Sequence, residues 1–130
     1  MVGSVGIFWD YENCHPSASM NGCKIANNIR NVALQFGSIV TFKAYMDMAL
    51  ESARANGFQA QLQASGLSMI HCPHASMKEV ADRALTVDML AFAFESPPPA
   101  TVVIITGDRD FTYAVSTIRM RGHRVVLIKP

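Results

Sequence analysis

Short apolar runs alternate along the chain with longer amphipathic stretches. The apolar runs, rich in Val, Ile and aromatic residues, predict five strands. They cover residues 5–9, 39–45, 67–71, 101–106 and 125–128. Between them, apolar positions at helical spacing predict helices at residues 25–36, 57–64, 80–94 and 111–121. Gly37 is placed as the C-cap of the first helix, prolines 97–99 stop the third, and Gly122 ends the fourth.

Alternation of this kind predicts an α/β fold, because continuous apolar strands are buried on both faces of a parallel sheet. We expect a three-layer sandwich with a central, mainly parallel sheet of five or six strands, doubly wound as in flavodoxin-like or Rossmann-like proteins. The 130 residues suffice for one domain with a sizeable core, and 50% are hydrophobic. Since the chain starts and stops beside strands, we expect residues 1–130 to be one domain excised from a longer protein.

The cysteines indicate a reducing environment. Cys14, Cys23 and Cys72 are widely spaced without a C-x-x-C pair, which argues against a zinc site or a disulfide framework. Free thiols favour an intracellular, cytoplasmic location. "HCPH" (His71, Cys72, His74) offers three metal ligands without a distant fourth, and a loop after a strand is the simpler interpretation. No apolar run reaches the ~18 residues that cross a bilayer, and no charged leader precedes the first strand.

Acids follow two of the predicted strands. "GIFWDYENC" ends its apolar run at Asp10, and "VVIITGDRDF" ends at Asp108 and Asp110. Ligands bind at the carboxyl ends of the strands in such sheets, so neighbouring first and fourth strands would bring Asp10 and Asp108 together. Clustered carboxylates repel each other unless a proton or a cation neutralises them. Oxygen ligands of this kind suit Mg²⁺ or Mn²⁺ better than zinc or copper.

The third helix adds two acids and a lysine. Asp82 follows Lys78 by four residues, so either an exposed ion pair or a functional acid fits this spacing. Asp88 lies six residues beyond Asp82, a rotation of about 120°, so both cannot face one metal and Asp88 is a supporting candidate. For Asp108 and Asp110 the alternative is a helix N-cap and a first-turn acid, and for Asp10 a turn residue.

The sequence offers no convincing covalent nucleophile. It lacks G-x-S-x-G, a cysteine with an obvious base, and a phosphate-binding P-loop. Two divalent ions can hydrolyse a phosphodiester without such a nucleophile. The net charge of +1 indicates no partner, but after Asp110 the chain contains no acid. The basic residues Arg119, Arg121, Arg124 and Lys129 follow there. A basic edge beside an acidic centre suits a polyanion, although ordinary surface charge would look the same.

Three stretches in combination resemble the NYN domain family, within the PIN-like nuclease superfamily. They are "GIFWDYENC", "KEVADRALTVD" and "ITGDRDFTYAV", and the resemblance spans nearly the whole chain. It implies a PIN-like fold, an acidic Mg²⁺ or Mn²⁺ centre and ribonuclease activity. The implied catalytic and metal-binding acids are Asp10, Asp82, Asp108 and Asp110. Supporting positions are Asn13, Asp88 and Thr106, and the residues expected to contact RNA are Arg109 and Lys78.

The sequence therefore favours a metal-dependent ribonuclease, an endonuclease acting on single-stranded RNA. The alternative is a catalytically weak RNA-binding or protein-interaction module, with homodimerisation or further RNA-binding domains in a longer chain. A haloacid dehalogenase-type phosphatase fits less well, because Glu12 stands where its second Asp is needed. A receiver domain is excluded, because the third strand ends "MIHCPH" without an Asp.

The arginines are expected to divide between two ends of the sheet. A helix that follows a parallel strand starts at the strand tips and ends at the opposite edge. Arg109, between the two acids of "GDRD", should therefore lie beside the acidic centre. Arg119, Arg121 and Arg124 should lie far from it.

Overall fold

The sheet has five parallel strands. The computed structural model describes residues 3–14, 16, 21–47, 58–73 and 79–130. The strands are β1 (Ser4–Asp10), β2 (Ser38–Met46), β3 (Ser68–His71), β4 (Thr101–Ile105) and β5 (Arg124–Ile128). The helices are α1 (Gly22–Ala33), α2 (Phe58–Ala64), α3 (Val80–Glu95) and α4 (Thr112–Met120). The strand order β3-β2-β1-β4-β5 confirms the predicted parallel α/β sheet.

Helices cover both faces of this sheet, as predicted. Because side chains alternate along a strand, β1 contributes to two separate cores. Its Ile7 and Trp9 belong to the core that includes residues of α1 and α2. Its Phe8 belongs to the core with α3 and α4, where Leu85 and Ile118 are fully buried. The three layers leave the ends of the strands as the place where polar side chains can gather.

The central strand β1 lies between β2 and β4, which fixes the position of the site. In its parallel pairing with β4, Val5 lies opposite Thr101 and Trp9 lies opposite Ile105. Both strands therefore end at the same level, and the residues that follow them are neighbours. Asp10 and Asp108 were predicted to converge if the first and fourth strands were neighbours, and β1 and β4 are neighbours.

The first helix differs from its predicted bounds. It begins at Gly22, where the Asn21 side chain accepts hydrogen bonds from the backbone N–H groups of Cys23 and Lys24. It ends at Ala33, so Gly37 is not its C-cap. The chain leaves the helix through a tighter turn, in which the Phe36 N–H donates to the Ala33 carbonyl at 3.0 Å.

Gly37 instead allows a close approach of two backbones before β2. Its φ is +155°, and a Cβ at this position would collide with the carbonyl oxygen of Gly3. The same carbonyl accepts the N–H of Ser38 at 2.9 Å, so it cannot move away without losing that bond. Within the part of the chain that the structure describes, no helix has the length and apolarity needed to span a bilayer.

Gly37→Ala is expected to destabilise the fold by more than about 1 kcal/mol, because the added methyl group collides with a hydrogen-bonded backbone. Gln35→Ala, at an exposed position of the same turn, is the matched control and should change stability by less than about 0.5 kcal/mol. Urea unfolding of both variants measures the difference. Equal midpoints would show that the two backbones can separate freely.

Candidate metal centre

The tips of β1 and β4 are joined by a side-chain hydrogen bond. Asp10 ends β1, and Thr106 follows the last residue of β4. The Thr106 hydroxyl donates to Asp10 Oδ2 at 2.7 Å. Both side chains are buried, with Asp10 only 1% exposed. Since Asp10 alternates with Trp9 along β1, it lies on the face of the sheet covered by α3 and α4.

A second donor reaches the same oxygen of Asp10. The 3₁₀ turn Tyr11–Asn13 folds back on the end of β1, and the Asn13 amide donates to Asp10 Oδ2 at 2.9 Å. The Trp9 indole N–H donates to the Cys14 carbonyl at 2.9 Å and closes this turn. Asp10 Oδ2 therefore accepts two hydrogen bonds. The other oxygen, Oδ1, is buried and has no hydrogen-bond partner among the residues that the structure describes.

The loop after β4 presents Asp108 to the same place. Its backbone N–H donates to the Thr106 hydroxyl oxygen at 3.0 Å, so this hydroxyl both accepts from Asp108 and donates to Asp10. Gly107 donates its N–H to the Asn13 carbonyl at 3.0 Å. A Cβ at Gly107 would lie 2.7 Å from that carbonyl oxygen, so a larger residue would push the two loops apart.

The first turn of α3 supplies the third carboxylate. Asp82 is half-buried there, and one oxygen each from Asp10, Asp82 and Asp108 lies within 4.8 Å of the other two. We call these three residues the acidic centre. Three separate segments of the chain thus place their carboxylates around one point at the carboxyl ends of the central strands.

Burial and mutual repulsion raise the pKa values of two carboxylates in the acidic centre. Burial raises the pKa of Asp82 to about 6, and the charges of Asp10, Asp108 and Asp110 contribute to this rise. Burial also raises the pKa of Asp10, although the hydrogen bonds from Asn13 and Thr106 oppose this effect. The negative charge of Asp108 adds to the rise. The folded protein therefore holds excess negative charge that a cation would relieve.

The donor set fits a divalent cation that prefers oxygen ligands. The main observation is that Asp10 Oδ1 is buried and has no hydrogen-bond partner among the described residues. A buried carboxylate oxygen without a donor is unfavourable unless a positive charge neutralises it. Asp82 and Asp108 each place one oxygen within 4.8 Å of an oxygen of Asp10. Carboxylate oxygens are the ligands of Mg²⁺ and Mn²⁺ in proteins, and the centre contains no sulfur or imidazole ligand among the described residues.

Two predicted acids lie outside the acidic centre. Asp110 is exposed, and its N–H donates to Asp108 Oδ1 at 2.9 Å. Its charge still contributes to the raised pKa of Asp82. Asp88 accepts a hydrogen bond of 2.7 Å from the Tyr45 hydroxyl and lies 3.6 Å from the Lys43 ammonium. Its six-residue separation from Asp82 turns it toward β2, where it joins α3 to the sheet.

The helix-cap alternative for Asp108 and Asp110 does not describe the observed geometry. Helix α4 begins at Thr112, and its N-cap residue Phe111 makes no side-chain cap hydrogen bond. The side chain of Asp108 instead accepts from within its own loop. Asp108 therefore orders the turn that precedes the helix.

The predicted basic residues lie in different surroundings. Arg109 is exposed, follows Asp108 in the chain and lines with it a cavity of about 640 Å³. Of the three residues of the acidic centre, Asp108 alone is among the described residues that line this cavity. Arg121 and Arg124 lie at the other end, where their guanidinium groups stack on Phe94 and Phe36. Arg119 is in the last turn of α4, as expected, and lines both the cavity of Arg109 and a second cavity that includes Arg124. Lys78 lies outside the described residues.

The sequence did not single out two polar contacts that shape the site. Glu12 accepts the Asp47 N–H at 2.9 Å and so links the turn after β1 to the end of β2. A phosphatase of the dehalogenase type would need the acid at position 12 to face the substrate, whereas Glu12 contacts the backbone at the end of β2. Tyr45 is fully buried and donates to Asp88. Its place at the end of the predicted strand 39–45 was the available signal.

The cysteines are free thiols, as predicted. Cys72 is buried, and burial together with the charge of Glu12 raises its pKa to about 11. It is therefore protonated at neutral pH, which argues against a thiolate ligand or nucleophile. His71 is exposed, and His74 lies outside the described residues.

The comparisons with known proteins agree on one family. A family model of the NYN domain matches residues 4–130. Meiosis regulator and mRNA stability factor 1 from Gallus gallus is 27% identical over 125 residues, 95% of this chain. The Mus musculus protein of that name is 26% identical over 125 residues. This chain spans about 7% of the length of these curated relatives.

A solved structure shows the same fold. The crystal structure of a protein of unknown function from Vibrio parahaemolyticus is similar with a TM-score of 0.69 at 21% sequence identity. The likeness covers 98% of this chain and 82% of that chain. It extends over the whole sheet and its helices.

The raised pKa of Asp82 predicts a pH-dependent stability in EDTA. The folded protein holds the Asp82 proton more tightly than the unfolded chain, where the pKa is near 3.8. The resulting stabilisation is present below about pH 4 and is lost as the pH rises through about 6. Asp82→Asn should reduce this decline, leaving the part that the raised pKa of Asp10 contributes, and melt at a higher temperature than wild type at pH 7.

Thermal melts of metal-free protein between pH 4 and 7 make this measurement. Glu95→Gln, an exposed change at the other end of α3, is the matched control and should follow the wild-type curve. A wild-type pH profile retained by Asp82→Asn would show that Asp82 is not the group responsible.

Proposed function

The chain belongs to the NYN domain family, and on that premise we propose that it is a metal-dependent ribonuclease that hydrolyses phosphodiester bonds within single-stranded RNA. Membership implies the PIN-like nuclease superfamily. The observation that carries the proposal is the acidic centre, in which three carboxylates converge and Asp10 has a buried oxygen without a hydrogen-bond partner among the described residues. The curated relatives are named as mRNA stability factors, which agrees with an RNA substrate.

The residues in and around the acidic centre divide into those that would bind the metal ion and those that orient Asp10. Asp10, Asp82 and Asp108 would hold Mg²⁺ or Mn²⁺, with Asp110 as an outer acid at the exposed side. When bound, such an ion lowers the pKa of water and stabilises charge on the phosphate oxygens. Thr106 and Asn13 both donate to Asp10 Oδ2, which leaves Oδ1 free to face the ion. They fix the carboxylate before any substrate arrives.

Substrate binding requires positive charge beside these acids, because RNA and the carboxylates repel each other. Arg109 would supply it, since it is exposed, follows Asp108 directly and lines the same cavity as Asp108. Its guanidinium group can donate two hydrogen bonds to one phosphate. We assign Arg109 to the phosphate next to the one that is cleaved.

Asp10→Asn should leave the fold intact and reduce RNA cleavage at least about 100-fold, because the amide keeps the shape but loses the charge of a direct ligand. Fluorescent single-stranded RNA in Mn²⁺ or Mg²⁺, with EDTA as a blank, measures the rate. Glu95→Gln should cleave like wild type. A folded Asp10→Asn protein with normal turnover would remove Asp10 from the catalytic set.

The same assay distinguishes the competing functions. RNA binding without cleavage in either metal would identify a non-catalytic RNA-binding module. Hydrolysis of p-nitrophenyl phosphate without RNA cleavage would identify a phosphatase. Cleavage of a circular single-stranded RNA would establish the endonuclease mode, because a circle has no ends for an exonuclease.

Arg109→Ala should weaken RNA binding and reduce its salt dependence, whereas Arg121→Ala should do neither. For each phosphate of a single strand that the protein no longer neutralises, the slope of log affinity against log salt becomes shallower by about 0.7. Binding of labelled RNA in Ca²⁺, which suppresses cleavage, gives both quantities across a salt series. Identical slopes for wild type and Arg109→Ala would refute the assignment.

A further inference from the structure

A groove runs along the outer edge of the sheet between α4 and β5. Its first part is the cavity of about 640 Å³ that begins at Asp108 and Arg109. Its second part is a cavity of about 650 Å³ that ends at Arg124. Val115, Arg119 and Leu127 line both cavities, so the two parts are continuous. We call this continuous depression the α4–β5 groove.

Beyond Asp108, the charged residues that line the α4–β5 groove are all basic. Arg109, Arg119 and Lys129 line it, and Asp108 of the acidic centre is the single carboxylate among its described lining residues. Arg124 lines it too, but its guanidinium group stacks on Phe36, which packs against the core with α1 and α2. The sequence after Asp110 contains no Asp or Glu. Within the described residues, Arg109, Arg119 and Lys129 have no carboxylate within 4.0 Å, so their charge is available to a ligand.

Protection of an exposed edge strand is the alternative explanation for such charges. Lysine and arginine on an edge strand prevent another strand from adding to the sheet, and Lys129 and Arg124 fit that role. Edge protection does not account for Arg109, which is in the loop after β4, or Arg119, which is on α4. Cations from a loop, a helix and a strand converge on one groove, which favours a ligand.

We propose that the α4–β5 groove is the path along which an RNA strand leaves the acidic centre, with Arg119 and Lys129 contacting its phosphates. This inference rests on the proposed function, since it names how the same substrate continues beyond the cleaved bond. The hydroxyls of Thr112 and Ser116 also line the groove and can donate to phosphate or ribose. Leu127, 49% exposed, offers an apolar contact for a base or sugar.

Arg121 provides the matched control for Arg119. The two residues are separated by one position, both are exposed, and both are arginines at the end of α4. Arg121 stacks its guanidinium group 4.6 Å from the ring centre of Phe94 and lines neither cavity. A nonspecific effect of lost positive charge would affect both variants equally, whereas a path through the groove affects Arg119 alone.

The experiment measures binding of fluorescent single-stranded RNAs of increasing length in Ca²⁺, across a salt series. Wild-type affinity should rise with length until the groove is filled. Arg119→Ala and Lys129→Ala should each weaken binding of the long RNA at least about threefold and make its salt slope shallower by about 0.7. Both variants should bind the shortest RNA like wild type. Arg119→Lys should restore most of the affinity, and Arg119→Glu should weaken it more than Arg119→Ala.

The outcomes separate this inference from the proposed function. If wild type binds and cuts RNA but Arg119→Ala and Lys129→Ala match it at every length, the groove is not the path and the ribonuclease proposal stands. Equal losses for Arg119→Ala and Arg121→Ala would also overturn the groove, because they indicate a diffuse effect of charge. If wild type neither binds nor cuts RNA of any length, both proposals fail.

Discussion

The hydrogen bond from Thr106 to Asp10 joins the ends of two neighbouring strands, and the geometry of the acidic centre depends on it. The hydroxyl donates its proton to Asp10 and accepts the N–H of Asp108, so one side chain sets the distance between two of the three carboxylates. Asn13 completes the arrangement by donating to the same oxygen of Asp10. Consequently the other oxygen stays buried without a donor among the described residues. If both carboxylate oxygens of Asp10 accepted hydrogen bonds from the protein, neither would be free to bind a cation.

Much of this centre was predictable because strand ends can be read from the sequence. Apolar runs that stop at Asp10 and Asp108 place both acids at the carboxyl edge of a parallel sheet, and the strand order then makes them neighbours. Asp82 was predictable only as one of two acids on α3. The rotation between Asp82 and Asp88 shows that they diverge, but the packing of α3 on β2 determines that Asp88 meets Tyr45.

Other features depend on contacts that no local pattern encodes. The double role of the Thr106 hydroxyl follows from the register between β1 and β4, which a single sequence does not specify. Arg119 lies in the last turn of α4, where the helix pattern placed it, but no local pattern shows that it lines a cavity together with Arg109. Gly37 was predicted to be a helix C-cap because a glycine after a helix usually has that role. The prediction was wrong, since the helix ends at Ala33.

Binding of a divalent ion by Asp10, Asp82 and Asp108 is the central claim, since the proposed RNA cleavage depends on that ion. A crystal soaked in Mn²⁺ and measured for anomalous scattering tests it most directly. We expect a strong anomalous peak bonded to Asp10 Oδ1 and to oxygens of Asp82 and Asp108, and no such peak in crystals of Asp10→Asn. A peak elsewhere, or none at these carboxylates in crystals of a protein that cleaves RNA in Mn²⁺, would contradict the claim.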